Sequence, residues 1–266
     1  MNRIDQRFAA LREAGKPAFV AYVCAGDPDL DHCLDILFAL ERAGADVIEL
    51  GVPFSDPMAD GVVNQMAAHR ALEAGATVPK VLDLVRRFRE RSQTPTVLFT
   101  YLNPIYSYGF AKFHEDAAAA GADGVLLLDL PPDEAVLNAE LTEGGSLRHI
   151  RLIAPTTPTE RIPQLAAAAE GFVYYVSREG VTGAQTSLAE GIAENVAAIK
   201  AHTAVPVVVG FGISTPDQAA AVGRASDGVV VGSAIVREIE RHGAEPDVAA
   251  KVEAFVKPLV DAAKSV

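Results

Sequence analysis

The chain opens with Ile4, Phe8 and Leu11, spaced by four and three residues among polar neighbours. That spacing puts all three on one face of a helix. Lying ahead of the first strand, this helix is expected to cover one end of the domain. Short aliphatic and β-branched runs follow at 18–23, 46–50, 96–101, 124–128, 149–153, 171–176, 205–210 and 228–231. They are continuous rather than alternating, the pattern of parallel strands buried on both faces. Segments of helical period separate them at 31–43, 79–91, 110–120, 133–141, 160–169, 190–201 and 216–223, and a last one spans 248–264. Eight strand–helix units in about 250 residues predict an α/β protein, a (β/α)8 TIM barrel with an additional N-terminal helix. A doubly wound open sheet is the alternative. No Gly/Ser linker or shift in composition divides the chain, so a single domain over 1–266 is expected.

A short echo supports the repeating unit. Ala43-Gly44-Ala45-Asp46, Ala120-Gly121-Ala122-Asp123 and Arg224-Ala225-Ser226-Asp227 each precede a strand. In the first two, glycine suits a left-handed residue that ends a helix. The aspartate can satisfy backbone donors in the turn that follows.

Composition narrows the partners. The 266 residues are 50% apolar and 22% charged, with a net charge of −12. Such a charge argues against nucleic acid and against an anionic membrane surface. The uncharged stretch at 202–216 is too short to span a bilayer. The charged N-terminus lacks the apolar core of a signal peptide. Two cysteines, Cys24 and Cys33, suggest a reducing cytoplasm, and no Cys/His cluster has metal spacing. Walker, EF-hand and GxSxG patterns are missing too. The six histidines stand beside no nucleophile, and the charged run at 86–91 reads as a solvated helix face.

In a barrel, function gathers at the C-terminal ends of the strands. Strand 2 ends Val47-Ile48-Glu49-Leu50-Gly51. A carboxylate in an apolar strand is costly unless it is paired or functional. If it points inward, desolvation raises its pKa towards neutrality, as a general acid/base requires. The alternative is a structural Glu bonded to a nearby Tyr or amide. The irregular loop after it contains Asp60, placed to reach back over Glu49. Two carboxylates of unequal burial can divide acid and base work; otherwise the loop aspartates merely cap the next helix. Gly210-Phe211-Gly212 after strand 7, Gly232-Ser233 after strand 8 and Gly180-Val181-Thr182-Gly183 after strand 6 suggest phosphate held by backbone amides and a helix N-terminus.

The run Glu49-Leu50-Gly51-Val52-Pro53-Phe54-Ser55-Asp56-Pro57-Met58-Ala59-Asp60-Gly61 closely resembles the signature of the tryptophan synthase alpha chain family. So do Ala25-Gly26-Asp27-Pro28, Tyr101-Leu102-Asn103-Pro104, Asp129-Leu130-Pro131-Pro132, Tyr174-Tyr175-Val176-Ser177 and the three glycine loops, in order along nearly the whole chain. The resemblance implies retro-aldol cleavage of indole-3-glycerol phosphate to indole and glyceraldehyde 3-phosphate, a lyase step late in tryptophan biosynthesis. By position, Glu49 matches the general acid/base, and Asp60 the carboxylate that binds the indole N–H. Tyr22, Phe99, Leu126 and Tyr174 resemble the indole wall, and Thr182 the mobile-loop residue that closes onto Asp60. Gly183, Phe211, Gly212, Gly232 and Ser233 match the phosphate site. No metal or cofactor is implied in this chain. The family's partner is a beta chain holding pyridoxal phosphate, in an alpha2-beta2 heterotetramer, and the strand-2 loop and Asn103-Pro104 resemble parts of that interface. The chain departs from the family pattern at Ala21, at Cys24 and at Val62-Val63-Asn64, which puts a polar side chain near the indole pocket. A sugar-phosphate epimerase and a non-catalytic activator of a beta chain are the competing readings.

Overall fold

The computed structural model describes residues 2–131, 144–177, 185–210 and 212–266, and the backbone alone for residues 185–190. Eight parallel strands close into a barrel in sequence order. They are β1 (Ala18–Cys24), β2 (Val47–Gly51), β3 (Thr96–Thr100), β4 (Gly124–Leu127), β5 (Arg148–Ile153), β6 (Val173–Val176), β7 (Val207–Gly210) and β8 (Gly228–Val231). β8 pairs back onto β1 through Ala18↔Gly228 and Val20↔Val230, which rules out the open sheet.

Alternate strand residues point into the barrel. Val20, Val47, Val97, Leu126, Ile150, Phe172, Val208 and Val230 form one buried cluster with Ala18. The same cluster takes in Ile4, Phe8 and Leu11 from α1 (Arg3–Glu13). The N-terminal helix therefore plugs the barrel at the N-terminal ends of its strands, on the face its spacing implied. Phe8 meets Phe172 there, ring centroids 5.5 Å apart.

The repeated aspartates stitch neighbouring strands. Asp46 Oδ2 accepts from Phe19 N at 2.7 Å, Asp123 Oδ2 from Thr96 N at 2.9 Å and Asp227 Oδ2 from Val207 N at 2.8 Å. Each satisfies a backbone donor at the start of the preceding strand, a group that needs a partner at the barrel rim. Arg7 and Lys264 neutralise Asp46, and Arg3 and Arg89 neutralise Asp123. Gly44 and Gly121 cap their helices in the left-handed region, with φ of 100° and 97°.

Around the strands lie α2 (Leu30–Ala43), α3 (Val62–Glu73), α4 (Val78–Arg89), α5 (Leu102–Tyr108), α6 (Phe110–Ala120), α7 (Ile162–Ala167), α8 (Gln185–Lys200), α9 (Pro216–Ala225), α10 (Ser233–His242) and α11 (Val248–Lys264). Their apolar faces and the outward strand residues form the outer core. α3 and α5 show no clear helical period in sequence: α3 buries only alanines, and α5 has 7 residues. The helix expected at 133–141 lies outside the described residues. Among the described residues no helix is long and apolar enough to cross a membrane.

Candidate active site

One pleat above the apolar plug, towards the C-terminal ends of the strands, the inward positions change character. β1 offers Tyr22, β2 offers Glu49 and β3 offers Phe99, while β6 offers Tyr174. Register sets Glu49 beside Tyr22 on one side and Val97 on the other, and sets Phe99 beside Leu126. The rings of Tyr22 and Phe99 meet edge to face at 5.2 Å. Leu126 belongs to the plug cluster directly below, against which Phe99 and Tyr174 pack.

Two strand-end glycines make this layer possible. A Cβ on Gly51 would lie 2.6 Å from the Tyr22 hydroxyl oxygen, and one on Gly210 would lie 2.8 Å from that of Tyr174. Each phenol thus fills the space an ordinary side chain would take. Gly210 therefore has a packing duty in addition to any at the phosphate loop.

Glu49 is 0% exposed, and neither of its oxygens has a hydrogen-bond partner among the described residues. The structural reading, a Glu tied to a Tyr or an amide, is not what the barrel holds. Burial without compensation disfavours the charged form and pushes its pKa from 4.5 to about 8. The neighbouring phenols respond in turn. Burial raises the pKa of Tyr22 and of Tyr174, and the negative charges of Glu49 and Asp60 raise both further. The two carboxylates therefore act on one shared space.

Asp60 sits just before Gly61, the N-cap of α3. The Tyr101 hydroxyl donates to its Oδ2 at 2.9 Å and accepts from Ala59 N at 3.0 Å. Gln65 Nε2 donates to its carbonyl at 2.8 Å. Burial raises the Asp60 pKa, and hydrogen bonds from Tyr101 and Asn64 offset part of the rise. Asn64 thus bears on the carboxylate itself, while its own Oδ1 is buried without a partner. Tyr101 is the residue that sequence reasoning passed over. Its only signal was its place at the head of the Tyr101-Leu102-Asn103-Pro104 motif.

The segments after β7 and β8, neighbours in the barrel, hold the positions expected to receive an anion. Gly232 is the N-cap of α10 and brings no side-chain cap, so amides of the first turn from Ser233 onward face the mouth unpaired by a cap. Such a helix start favours an anion. Gly212 sits in the left-handed region at φ 69°. Phe211, Thr182 and Gly183 lie outside the described residues. Among the described residues no group of three or more His, Cys, Asp or Glu side chains is placed to hold a metal.

A family model for the tryptophan synthase alpha chain matches residues 8–264. The tryptophan synthase alpha chain of Citrifermentans bemidjiense is 52% identical over 246 residues, 92% of each chain. That of Geobacter sulfurreducens is 51% identical over 262 residues, covering 98% of this chain and 99% of its own. Among solved structures, tryptophan synthase subunit alpha from Legionella pneumophila superposes with a TM-score of 0.91 at 39% identity, covering 100% of both chains. With the barrel, the buried Glu49 and the paired Asp60 in place, the chain belongs to the tryptophan synthase alpha chain family, the aldolase-type lyases that act on indole-3-glycerol phosphate in tryptophan synthesis.

Proposed function

We propose that Glu49 and Asp60 carry the retro-aldol cleavage of indole-3-glycerol phosphate to indole and glyceraldehyde 3-phosphate. The observation behind this reading is the buried, unpartnered Glu49 carboxyl, whose pKa of about 8 keeps it protonated at neutral pH. Glu49 gives that proton to indole C3, and the ring becomes an indolenine cation. Asp60 takes the indole N–H and stabilises the positive charge. Glu49, now a carboxylate, removes the proton of the side-chain hydroxyl at the carbon attached to C3. The C–O bond becomes a carbonyl, the C3–C bond breaks, and its electrons return to the ring. The proton count closes on Glu49 alone, without a covalent intermediate.

Tyr22, Phe99, Leu126 and Tyr174 form the apolar wall for the ring. Gly212, Gly232 and Ser233 receive the phosphate, joined by Gly183 and Phe211 on the strength of the family pattern. Thr182 is assigned to closure over Asp60 on the same basis. Pyridoxal phosphate has no part in the chemistry proposed for this chain. That cofactor is assigned to the beta-chain partner.

The family forms a complex with a beta chain; we assign it the alpha2-beta2 stoichiometry. Met58, Val62, Met66 and Tyr106 are large apolar side chains exposed at 91%, 72%, 43% and 52%. They cluster along the Asp60 loop, the start of α3 and α5, which supports this face as the contact. The chain is assigned as one barrel domain over 1–266, working in the cytoplasm.

The test is indole release from indole-3-glycerol phosphate by the purified chain, with and without a beta chain. Glu49→Gln should lose at least about 10²-fold, the lower range for general acid/base catalysis. Near wild-type release by that variant removes Glu49 from the mechanism. Turnover of ribulose 5-phosphate without indole release would instead favour an epimerase.

A further inference from the structure

α3 is seated differently from its neighbours. Its buried residues are Ala67, Ala68 and Ala71, whereas α4 buries Val81, Leu82, Leu84, Val85 and Phe88. Hydrophobic stabilisation scales with the apolar area removed from water, so α3 has the weaker apolar seat. Its polar seat is strong. Arg70, near its C-terminal end, grips Asp27 with both arms: Nε to Oδ1 at 2.8 Å and Nη2 to Oδ2 at 2.9 Å. Asp27 is 0% exposed. The third nitrogen, Nη1, reaches Glu240 Oε1 at 3.2 Å.

These partners come from different parts of the barrel mouth. Asp27 lies in the turn after β1, and Glu240 lies on α10, whose first residues are the anion end of the site. The turn itself packs on α3 and on the segment that follows it: a Cβ on Gly26 would lie 3.7 Å from Ala71 Cβ in the helix and 3.0 Å from Ala76 Cβ just beyond it. One guanidinium therefore joins the helix that begins beside Asp60 to the helix that begins at Ser233. A planar fork can hold a carboxylate in one orientation and still spare a donor; a lysine ammonium is a point charge that cannot.

We propose that Arg70 is a positioning residue for the cleavage reaction, fixing the separation between the Asp60 end of the site and the α10 end so that ring and phosphate of one substrate engage together. This rests on the reading of the site given above. When a ligand has two linked ends, binding of the second end is intramolecular, and its advantage depends on how rigidly the two subsites are spaced. A loosened clamp leaves each half-site able to bind its half-ligand. What is lost is the gain from linking them.

The test compares wild type with Arg70→Lys, which keeps the positive charge opposite buried Asp27 but not the fork. Calorimetry reads indole alone, glycerol phosphate alone, and a non-cleavable phosphate ester of an indole-3-alkanol. We expect Arg70→Lys to bind each half within about twofold of wild type and the linked ester about tenfold more weakly. KM should rise by a similar factor, with kcat changed less than about threefold. Amide exchange in α3 should quicken about tenfold while that of α4 stays as in wild type. A purely structural ion pair would lower the melting temperature and leave linked-ester affinity and KM of the folded protein alone; that result overturns the positioning role. Wild-type protein that binds no linked ester and releases no indole overturns the functional reading, and the proposal with it. If Arg70→Lys does not fold, Glu240→Gln decides, because it leaves the Asp27 pair intact. A loss of linked-ester affinity of about threefold supports the clamp, and wild-type affinity overturns it.

Discussion

At the scale of single residues, the site is governed by what its two carboxylates lack and what they have. Glu49 has no partner among the described residues, and its burial should be visible in stability. Below pH 4.5 both folded and unfolded chains keep the Glu49 proton. Between 4.5 and about 8 the unfolded chain releases it while the folded chain holds it. Fewer protons are then bound in the unfolded state, so stability falls as pH rises through this window and levels off above it. Glu49→Gln removes that penalty. Its melting temperature should exceed wild type by several degrees at pH 8, a gain on the order of a few kcal/mol, and the difference should vanish near pH 4. A constant difference across that range would place the Glu49 pKa elsewhere. Asp60 differs in having donors: burial raises its pKa too, and the hydrogen bonds from Tyr101 and Asn64 offset part of that rise. Tyr101→Phe removes one of them, so the Asp60 pKa should rise and the acid limb of kcat/KM should move to higher pH. Losing a hydrogen bond to a charged group costs about 1.5–3 kcal/mol, so kcat/KM at pH 6 should drop by at least about tenfold. An unmoved acid limb, measured from pH 5 to 8, would show that Asp60 does not depend on Tyr101.

At the scale of elements, the barrel keeps stability and chemistry at opposite ends. α1 stands at the N-terminal end of the strands and contributes packing, ion pairs and a hydrogen bond from Arg3 to Gln93 there. Phe8 is 6% exposed, and its ring lies against Phe172. Phe8→Ala should cost about 3 kcal/mol in urea unfolding, while KM and kcat of the folded variant stay as in wild type. A changed KM would mean that the plug reaches the mouth. α10 is the counterpart at the other end. Ser233→Asp places a carboxylate at the helix start where an anion is expected. Binding of glycerol phosphate should fall at least about tenfold by like-charge repulsion, with the affinity for free indole intact. Ser233 serves better here than Gly212, whose left-handed φ of 69° would strain any larger residue regardless of ligand.

At the scale of the whole molecule, the acidic charge of −12 and the exposed apolar face have different consequences. Phosphate must be drawn by helix and backbone dipoles at close range, because the overall field repels anions. The apolar face at Met58, Val62 and Met66 offers a partner a surface without altering the pocket interior. Met66→Glu adds a charge there. Light scattering of a mixture with a cognate beta chain should show the complex lost or weakened more than about tenfold, with basal cleavage by the isolated chain unchanged. An undiminished complex would move the interface off this face.

Much of this was written in local chemistry. The spacing of Ile4, Phe8 and Leu11 announced a helix with one buried face, and continuous apolar runs announced strands buried on both sides. The Gly-Ala-Asp turns announced helix ends and backbone acceptors, because a left-handed cap and a short carboxylate act within a few residues of themselves. Glu49 drew attention for a similarly local reason, a charge in an apolar strand. α3 escaped, because alanines bury a face without marking a period. What local pattern could not carry was anything that depended on who stands opposite. That Glu49 is left without a partner, that Tyr101 donates to Asp60 from 41 residues away, and that Gly51 and Gly210 exist to admit two tyrosine hydroxyls are facts of barrel closure. So is the reach of Arg70 to Asp27 and to Glu240, separations of 43 and 170 residues. Secondary structure follows from neighbours along the chain; burial, pKa and the spacing of a two-ended site follow from neighbours in space, and only the closed barrel names those.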